Sequence, residues 1–202
     1  MGGLGKCGVF SFYGNKVITT GEGGMLTTND RAFYLHAKRL RDHAMSPQRR
    51  YFHEERGFNY RITNLQAALG VAQLERIEEF LARRTEIMGW YNSEIATTDH
   101  VRLNRVKNWA TSAFWMVCLE VDWFDEAGRD AFMQALKARG IDSRPYFCTL
   151  SSMPMYRQPP LPISARKAQI GLNLPSYFEL TKPEVQRVAA DVNELLKAFR
   201  PA

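Results

Sequence analysis

Residues 11–24 read SFYGNKVITTGEGG, the most distinctive stretch of the 202-residue chain. One lysine, Lys16, follows a short aromatic run and precedes a glycine-rich turn of the kind that lets backbone approach a ligand closely. A lysine held in such a place loses its proton more readily, because burial disfavours the charged form. A neutral amine is the form that attacks carbonyl groups. Lys16 is therefore a candidate nucleophile, and Ser11 a candidate anion-binding hydroxyl; the alternative for Lys16 is an ordinary surface lysine.

The composition outside this stretch is typical of a globular protein, with 45% hydrophobic and 24% charged residues. No apolar run approaches the roughly 20 residues that span a bilayer. The N-terminus has no signal-peptide pattern, so we interpret the protein as cytoplasmic, without a membrane partner. Cys7, Cys118 and Cys148 lack the spacing of a disulfide framework or a zinc site, and none of the four histidines has metal-ligand spacing.

The formal net charge of +6 raises the question of an anionic partner. Basic residues are spread along the chain and interleave with acidic ones, as in ERIEEFLARR at 75–84. This pattern favours a solvated helical face, with attraction for a phosphorylated ligand or for an acidic partner surface as the alternative. The alternative hypothesis of nucleic-acid binding would rest on net charge alone, because the sequence has no helix-turn-helix, zinc or ribonucleoprotein signature.

Strand and helix patterns alternate along the first half of the chain. CGVFSFY at 7–13 predicts a buried strand, and GGMLTTND at 23–30 predicts a second one. A helix at 31–43, capped by Asn29 or Asp30, precedes the break at Ser46-Pro47. The apolar spacing from Asn64, the expected cap, then predicts one long helix reaching Met88 or beyond.

The second half shows a strand–helix alternation that indicates a small α/β layer. Gly140 ends one helix in the C′ role, and Thr181 caps the last helix. The sequence predicts a domain at 1–104, which has too few elements for a core of its own, and a second at 105–202. The predicted elements of the second domain are a strand at 112–123, a helix at 125–140, a strand at 141–147, a short helix at 164–172 and a helix at 181–199.

Four segments resemble one enzyme family. GVFSFYGNKVITTGEGGMLTTND at 8–30 resembles the segment around the cofactor lysine in the DegT/DnrJ/EryC1/StrS sugar aminotransferases. Residues 41–84 are similar to the segment that follows in the perosamine synthase branch, and 140–147 and 171–177 resemble later motifs. The resemblance implies the C-terminal part of an α/β, fold-type I enzyme related to aspartate aminotransferase. Residues 1–104 would be the end of the large cofactor-binding domain with a long interdomain helix, followed by the small α/β domain.

The resemblance implies roles for four residues. Lys16 stands where the family carries the lysine that binds pyridoxal 5'-phosphate covalently and moves protons during transamination. Ser11 matches a serine that hydrogen-bonds the cofactor phosphate. Asn59 matches an asparagine that reaches the phosphate of the other subunit's cofactor, and Arg61 matches a substrate-binding arginine near that shared site. We therefore expect a homodimer with shared active sites.

The implied activity is transfer of an amino group from glutamate to a nucleotide-linked keto-sugar, a 4-keto-6-deoxy sugar, in amino-sugar, O-antigen or related lipopolysaccharide biosynthesis. Lysine at position 16, where the dehydratase branch has histidine, favours transamination. The family's aspartate partner of the pyridine nitrogen finds no match, so we expect a portion of a longer or split enzyme. Residues 144–154, RPYFCTLSSMP, lack the histidine that approaches the sugar in many relatives. The alternative is a truncated, non-catalytic fragment that folds and dimerises without cofactor.

Overall fold

The computed structural model describes residues 2–201, which divide into two compact units. The first unit extends to Ile77 and the second begins at Glu78. The domain bounds predicted from the sequence, 1–104 and 105–202, stay a prediction. Among the described residues, no helix is long and apolar enough to cross a membrane.

The first unit is built on an antiparallel strand pair, in which Gly8 lies opposite Thr27 and Ser11 opposite Gly24. Asp30 caps the first helix by accepting a hydrogen bond from the backbone N–H of Phe33 at 3.0 Å, which confirms one of the two predicted caps. The elements are β1 Gly8–Ser11, β2 Gly24–Thr27, α1 Arg31–Leu40 and α2 Asn64–Leu74.

Helix α1 ends at Leu40, so the predicted end at residue 43 is wrong. The backbone N–H of Phe58 donates to the carbonyl of Leu40 at 2.7 Å, and that of His43 donates to the carbonyl of Phe58 at 2.9 Å. His43 takes a positive φ of 61°. The chain therefore leaves the helix to pair with a segment 15 or more residues ahead, which helical spacing cannot reveal.

Strand β1 is present as predicted, but the expectation that it is buried is wrong. Val9 is 77% exposed, and the other side chains of β1 and β2 are half-buried or exposed. In the described part of the chain these strands pair with each other and with no further strand. A two-stranded sheet without a covering layer cannot bury both faces.

The long helix predicted from Asn64 is two helices. Helix α2 stops at Leu74, and α3 occupies Ile77–Glu94 after a turn in which the N–H of Arg76 donates to the carbonyl of Gln73 at 3.1 Å. The cap of α2 is Thr63 rather than Asn64, in a capping box with Gln66.

The second unit contains a four-stranded antiparallel sheet in which Val101–Arg102 (β3) pairs with Val117–Val121 (β4), β4 with Gly171–Leu174 (β6), and β6 with Arg144–Pro145 (β5). The strand at 171–174, GLNL, is not among the predicted elements, and the short helix predicted at 164–172 ends at Ile170 instead. After α3 the elements are β3 Val101–Arg102, β4 Val117–Val121, α4 Glu126–Ala138, β5 Arg144–Pro145, α5 Pro162–Ile170, β6 Gly171–Leu174 and α6 Lys182–Ala198.

Strand β4 separates a hydrophobic core from a more polar sheet face. Val117, Leu119 and Val121 are buried, whereas Cys118 and Glu120 alternate with them and point to the opposite side. The core is completed by apolar side chains of α3, α4, β6 and α6. Gly140 after α4 has a φ of 73°, and Thr181 forms a capping box with Glu184, so both predicted signals are confirmed.

Candidate functional site

Lys16 lies on the loop between β1 and β2, and backbone hydrogen bonds join distant residues of this loop. The N–H of Phe12 donates to the carbonyl of Gly23, and the N–H of Thr20 donates to the carbonyl of Phe12, both at 2.9 Å. Within this frame the N–H of Lys16 donates to the carbonyl of Tyr13 at 3.0 Å. The half-buried side chain of Lys16 is thus carried on a hydrogen-bonded turn.

Helix α2 fixes the other end of this loop. The side-chain carbonyl of Gln73 accepts from the N–H of Thr19 at 2.9 Å, and the side-chain amide of Gln66 donates to the carbonyl of Glu22 at 3.1 Å. Thr20 is buried, and its methyl group would lie 2.9 Å from a Cβ at Gly70. The absence of a side chain at Gly70 therefore permits the close approach of helix and loop.

Ser11 is the last residue of β1 and begins the same segment. Its Oγ accepts a hydrogen bond from the N–H of Tyr13 at 3.3 Å. A hydroxyl that accepts one bond still has its proton to donate. The structure therefore carries Ser11 and Lys16, both predicted from the sequence, on one anchored strand–loop segment.

Asn59 and Arg61 lie on a different segment of the first unit, which pairs with the chain after α1. Asn59 forms an isolated bridge with Asp42, and the N–H of Tyr60 donates to the carbonyl of Arg41 at 2.9 Å. The guanidinium of Arg61 donates to the carboxylate of Asp42 at 3.0 Å. Asn59 and Arg61 are exposed. Their common partner Asp42 was missed, because nothing in the sequence ties it to residues almost 20 positions ahead.

A second cluster fastens the same segment to α1. Arg39 donates to Glu54 at 3.0 Å and also contacts Glu55, whose other oxygen lies 2.9 Å from the ring nitrogen Nε2 of His36. The hydrogen bond with His36 holds the pKa of Glu55 below its ordinary value, with a further contribution from Arg39. The sequence offered one signal, the i, i+3 spacing of His36 and Arg39, which places both on one helix face.

The donor set around Lys16 fits pyridoxal 5'-phosphate chemically. The cofactor's aldehyde requires a primary amine, and its phosphate requires neutral or cationic hydrogen-bond donors. Lys16 supplies the amine and Ser11 the hydroxyl, on a loop whose backbone is already ordered by hydrogen bonds. Lys16 and Ser11 are therefore the residues that would hold the cofactor in this unit.

Comparisons with known proteins agree with this chemistry. Residues 1–193 match the sequence profile of the DegT/DnrJ/EryC1/StrS aminotransferase family. GDP-perosamine synthase of Caulobacter vibrioides is 42% identical over 204 residues, which cover 96% of this chain and 54% of that protein. EpsN of Bacillus subtilis, assigned by name to the pyridoxal phosphate-dependent aminotransferases, is 34% identical and is covered over 50% of its length.

The fold agrees as well. The crystal structure of the aminotransferase TlmJ from Streptoalloteichus hindustanus superposes with a TM-score of 0.87 at 29% identity, over 97% of this chain and 53% of TlmJ. The chain thus spans about half the length of the relatives that it matches. Its α/β structure is part of a fold-type I, pyridoxal phosphate-dependent architecture. The chain belongs to the DegT/DnrJ/EryC1/StrS aminotransferase family.

Proposed function

We propose that this chain is the C-terminal part of an enzyme that transfers an amino group from glutamate to carbon 4 of a nucleotide-linked 4-keto-6-deoxy sugar. The observation that carries the proposal is the amine of Lys16 on its anchored loop, in a chain 42% identical to a GDP-perosamine synthase. The name of that relative favours a GDP-linked sugar. We place the reaction, as the family resemblance implies, in the cytoplasmic synthesis of lipopolysaccharide or a related polysaccharide.

Lys16 has two tasks in this proposal. Bound pyridoxal phosphate supplies the electron sink that stabilises negative charge on the reacting carbon. Lys16 would hold the cofactor through Nζ, and its free amine would act as a general base and then as a general acid toward the reacting carbons. Ser11 donates its proton in a hydrogen bond to a phosphate oxygen and so fixes the cofactor relative to Nζ.

Asn59 and Arg61 serve the neighbouring subunit in this proposal. Both are exposed, and both are held by Asp42 and the chain that follows α1. An amide on an anchored backbone, and a guanidinium that is paired with Asp42 yet 60% exposed, suit recognition of phosphate and substrate oxygens. We therefore place a homodimer around shared sites, with Asn59 toward the cofactor phosphate and Arg61 toward the substrate.

The first test is cofactor capture by the purified chain. Pyridoxal phosphate is titrated by absorbance, reduced onto the protein with borohydride, and located by peptide mass mapping. We expect one equivalent on Lys16, complete loss in Lys16→Ala and full retention in Lys38→Ala, a matched control with an exposed lysine on α1. Weak labelling spread over several lysines would contradict the proposal. If such a preparation is nevertheless dimeric by sedimentation, the non-catalytic fragment is the better description.

A further inference from the structure

Two glutamine side chains of α2 hold residues 19–22, a bend in the loop between β1 and β2. Oε1 of Gln73 accepts from the N–H of Thr19 at 2.9 Å, and Nε2 of Gln66 donates to the carbonyl of Glu22 at 3.1 Å. The two glutamines are seven positions apart, about two helical turns, so both project from one face of α2. That face therefore holds both ends of the bend.

The middle of the bend packs against the same face. Thr20 is 5% exposed. A Cβ at Gly70, which lies between the two glutamines on α2, would come 2.9 Å from the Thr20 methyl group. From the loop side, a Cβ at Gly23 would come 2.5 Å from Oγ1 of Thr20. Thr20 is thus enclosed on two sides, and the bend has little room to slide along the helix.

The bend is joined to the strand end that carries Ser11 through Phe12, the next residue. The carbonyl of Phe12 accepts from Oγ1 of Thr19 and from the N–H of Thr20, both at 2.9 Å. Both donors belong to the bend. A displacement of the bend therefore moves the backbone beside Ser11, unless these two hydrogen bonds break.

The turn that carries Lys16 lies alongside the bend. The N–H of Lys16 donates to the carbonyl of Tyr13 at 3.0 Å, which closes the turn. A Cβ at Gly14 in this turn would lie 3.8 Å from the carbonyl oxygen of Gly21 in the bend, an ordinary van der Waals distance. The position of the bend on α2 thus determines where the turn with Lys16 can lie.

We propose that Gln73 is a positioning residue for Lys16. The N–H of Thr19 is partly buried, and the side-chain oxygen of Gln73 is the acceptor that keeps it, and hence the bend, in place on α2. Gln73 acts only through the bend. The inference rests on the proposed function, in which the amine of Lys16 and the hydroxyl of Ser11 hold one cofactor at two points. Such a cofactor requires a fixed spacing between the two groups, because about 1 Å of misplacement at a reacting group can cost about a hundredfold in rate.

The test compares two substitutions of Gln73 in the whole chain. Gln73→Met keeps the length and the helix propensity of the side chain and removes the acceptor. It should weaken capture of pyridoxal phosphate at Lys16 by about tenfold, the ratio expected for one lost hydrogen bond, and accelerate hydrogen exchange at the amides of both Thr19 and Lys16. Gln73→Glu keeps an oxygen acceptor at the same place and should restore capture and exchange to within about threefold of the parent chain.

Gln134→Met is the matched control, since Gln134 is an exposed glutamine in α4. It should change neither the capture of pyridoxal phosphate nor hydrogen exchange in the loop. A loss of capture in Gln134→Met equal to that in Gln73→Met would overturn the inference, because it would indicate a general effect of replacing a glutamine.

A purely structural contact would give a different pattern. Acceleration at Thr19 alone, with capture and the Lys16 amide unchanged, would overturn the inference, as would equally weak capture in Gln73→Met and Gln73→Glu. Failure of the parent chain to capture the cofactor would contradict the proposed function instead. Hydrogen exchange at Lys16 needs no cofactor and still decides the inference in that case: acceleration in Gln73→Met with rescue in Gln73→Glu supports it, and no acceleration overturns it.

Discussion

The two units hold their structure by different means. The hydrophobic core lies in the second unit, where apolar side chains of four helices and the sheet are almost fully buried. Among the described residues of the first unit, Ala44 is the one buried hydrophobic residue. The first unit instead depends on hydrogen bonds and ion pairs at its loops, such as those of Gln73 and Glu55. The segment that we propose to hold the cofactor thus belongs to the unit with the smaller buried core.

The comparison predicts the largest effect for a cavity in the second unit. Phe132 is fully buried and packs against Phe124 and Phe199, with ring centroids 5.2 and 5.5 Å away. Phe132→Ala should lower the free energy of unfolding by about 3–5 kcal/mol, measured by urea denaturation. Tyr34→Ala removes a half-exposed ring from the first unit and should change the free energy of unfolding by less than about 0.5 kcal/mol. Similar losses in the two variants would contradict a core confined to the second unit.

A backbone clash should produce the next largest effect, this time in the first unit. A Cβ at Gly57 would lie 2.2 Å from the backbone nitrogen of Ala44. Gly57→Ala must therefore push the segment that carries Asn59 away from His43 and Ala44, at a cost of about 1–3 kcal/mol. Hydrogen exchange at the amides of His43 and Tyr60, both bonded across this contact, should accelerate accordingly.

The matched control for that substitution is Gly89→Ala in α3, where an added Cβ meets nothing within 4 Å. Alanine in a helix is more favourable than glycine by up to about 1 kcal/mol, so this variant should be neutral or more stable. Unchanged exchange at His43 and Tyr60 in Gly57→Ala would show that the pairing with the chain after α1 is loose.

The sequence predicted best what is determined by adjacent residues. Asp30, Gly140 and Thr181 act at helix ends as their chemistry indicates, because each signal lies within one turn of the bond that it makes. The end of α1 is determined by pairing with Phe58. The sequence has no glycine or proline at the break between α2 and α3 that would indicate it. Hydrophobic periodicity therefore could not predict the end of α1 or the break after α2.

The same distinction applies to the candidate site. Ser11 and Lys16 lie close in sequence, so their position on one strand–loop segment could be predicted, whereas their roles toward the cofactor stay predictions. Asn59 and Arg61 came from family resemblance, and the residue that orients Arg61 became visible only in three dimensions. Their roles toward a neighbouring subunit stay predictions. The second unit also has a cleft lined by Phe147, which combines residues of β4, β6 and α5 with loop residues, so no local sequence pattern predicts it.

A pair of equivalent helix caps offers a finer comparison of the two units. Thr63 and Thr181 each form a capping box, with Gln66 and Glu184 respectively. Thr181→Ala should reduce the free energy of global unfolding by about 1 kcal/mol, because α6 is part of the core. Thr63→Ala should leave global unfolding nearly unchanged and accelerate hydrogen exchange in α2. Equal effects of the two substitutions on denaturation would show that both units unfold as one cooperative body.

The smallest expected effect is a difference between the two units in hydrogen exchange at acidic pH. Glu55 in the first unit and Glu184 in the second both have a pKa held below 4.5, the former chiefly by His36 and the latter chiefly by Thr181. A folded-state pKa below the unfolded value gives stability that is present above about 4.5 and is lost as the pH falls through the folded pKa. Below 4.5, the amides of His43 and Phe58 should therefore exchange faster, after allowance for the pH dependence of intrinsic exchange.

The second unit should respond differently, because its core remains when Glu184 is protonated. Amides within α6 should keep their protection over the pH range in which the first unit opens. Glu55→Gln should abolish the acid-induced change at His43 and Phe58, whereas Glu184→Gln should not affect it. Parallel loss of protection in both units would mean that the ion pairs of α1 are not what holds residues 54–61 in place. The dependence of the first unit on polar contacts would then have to reside in the hydrogen bonds of α2 to the Lys16 loop.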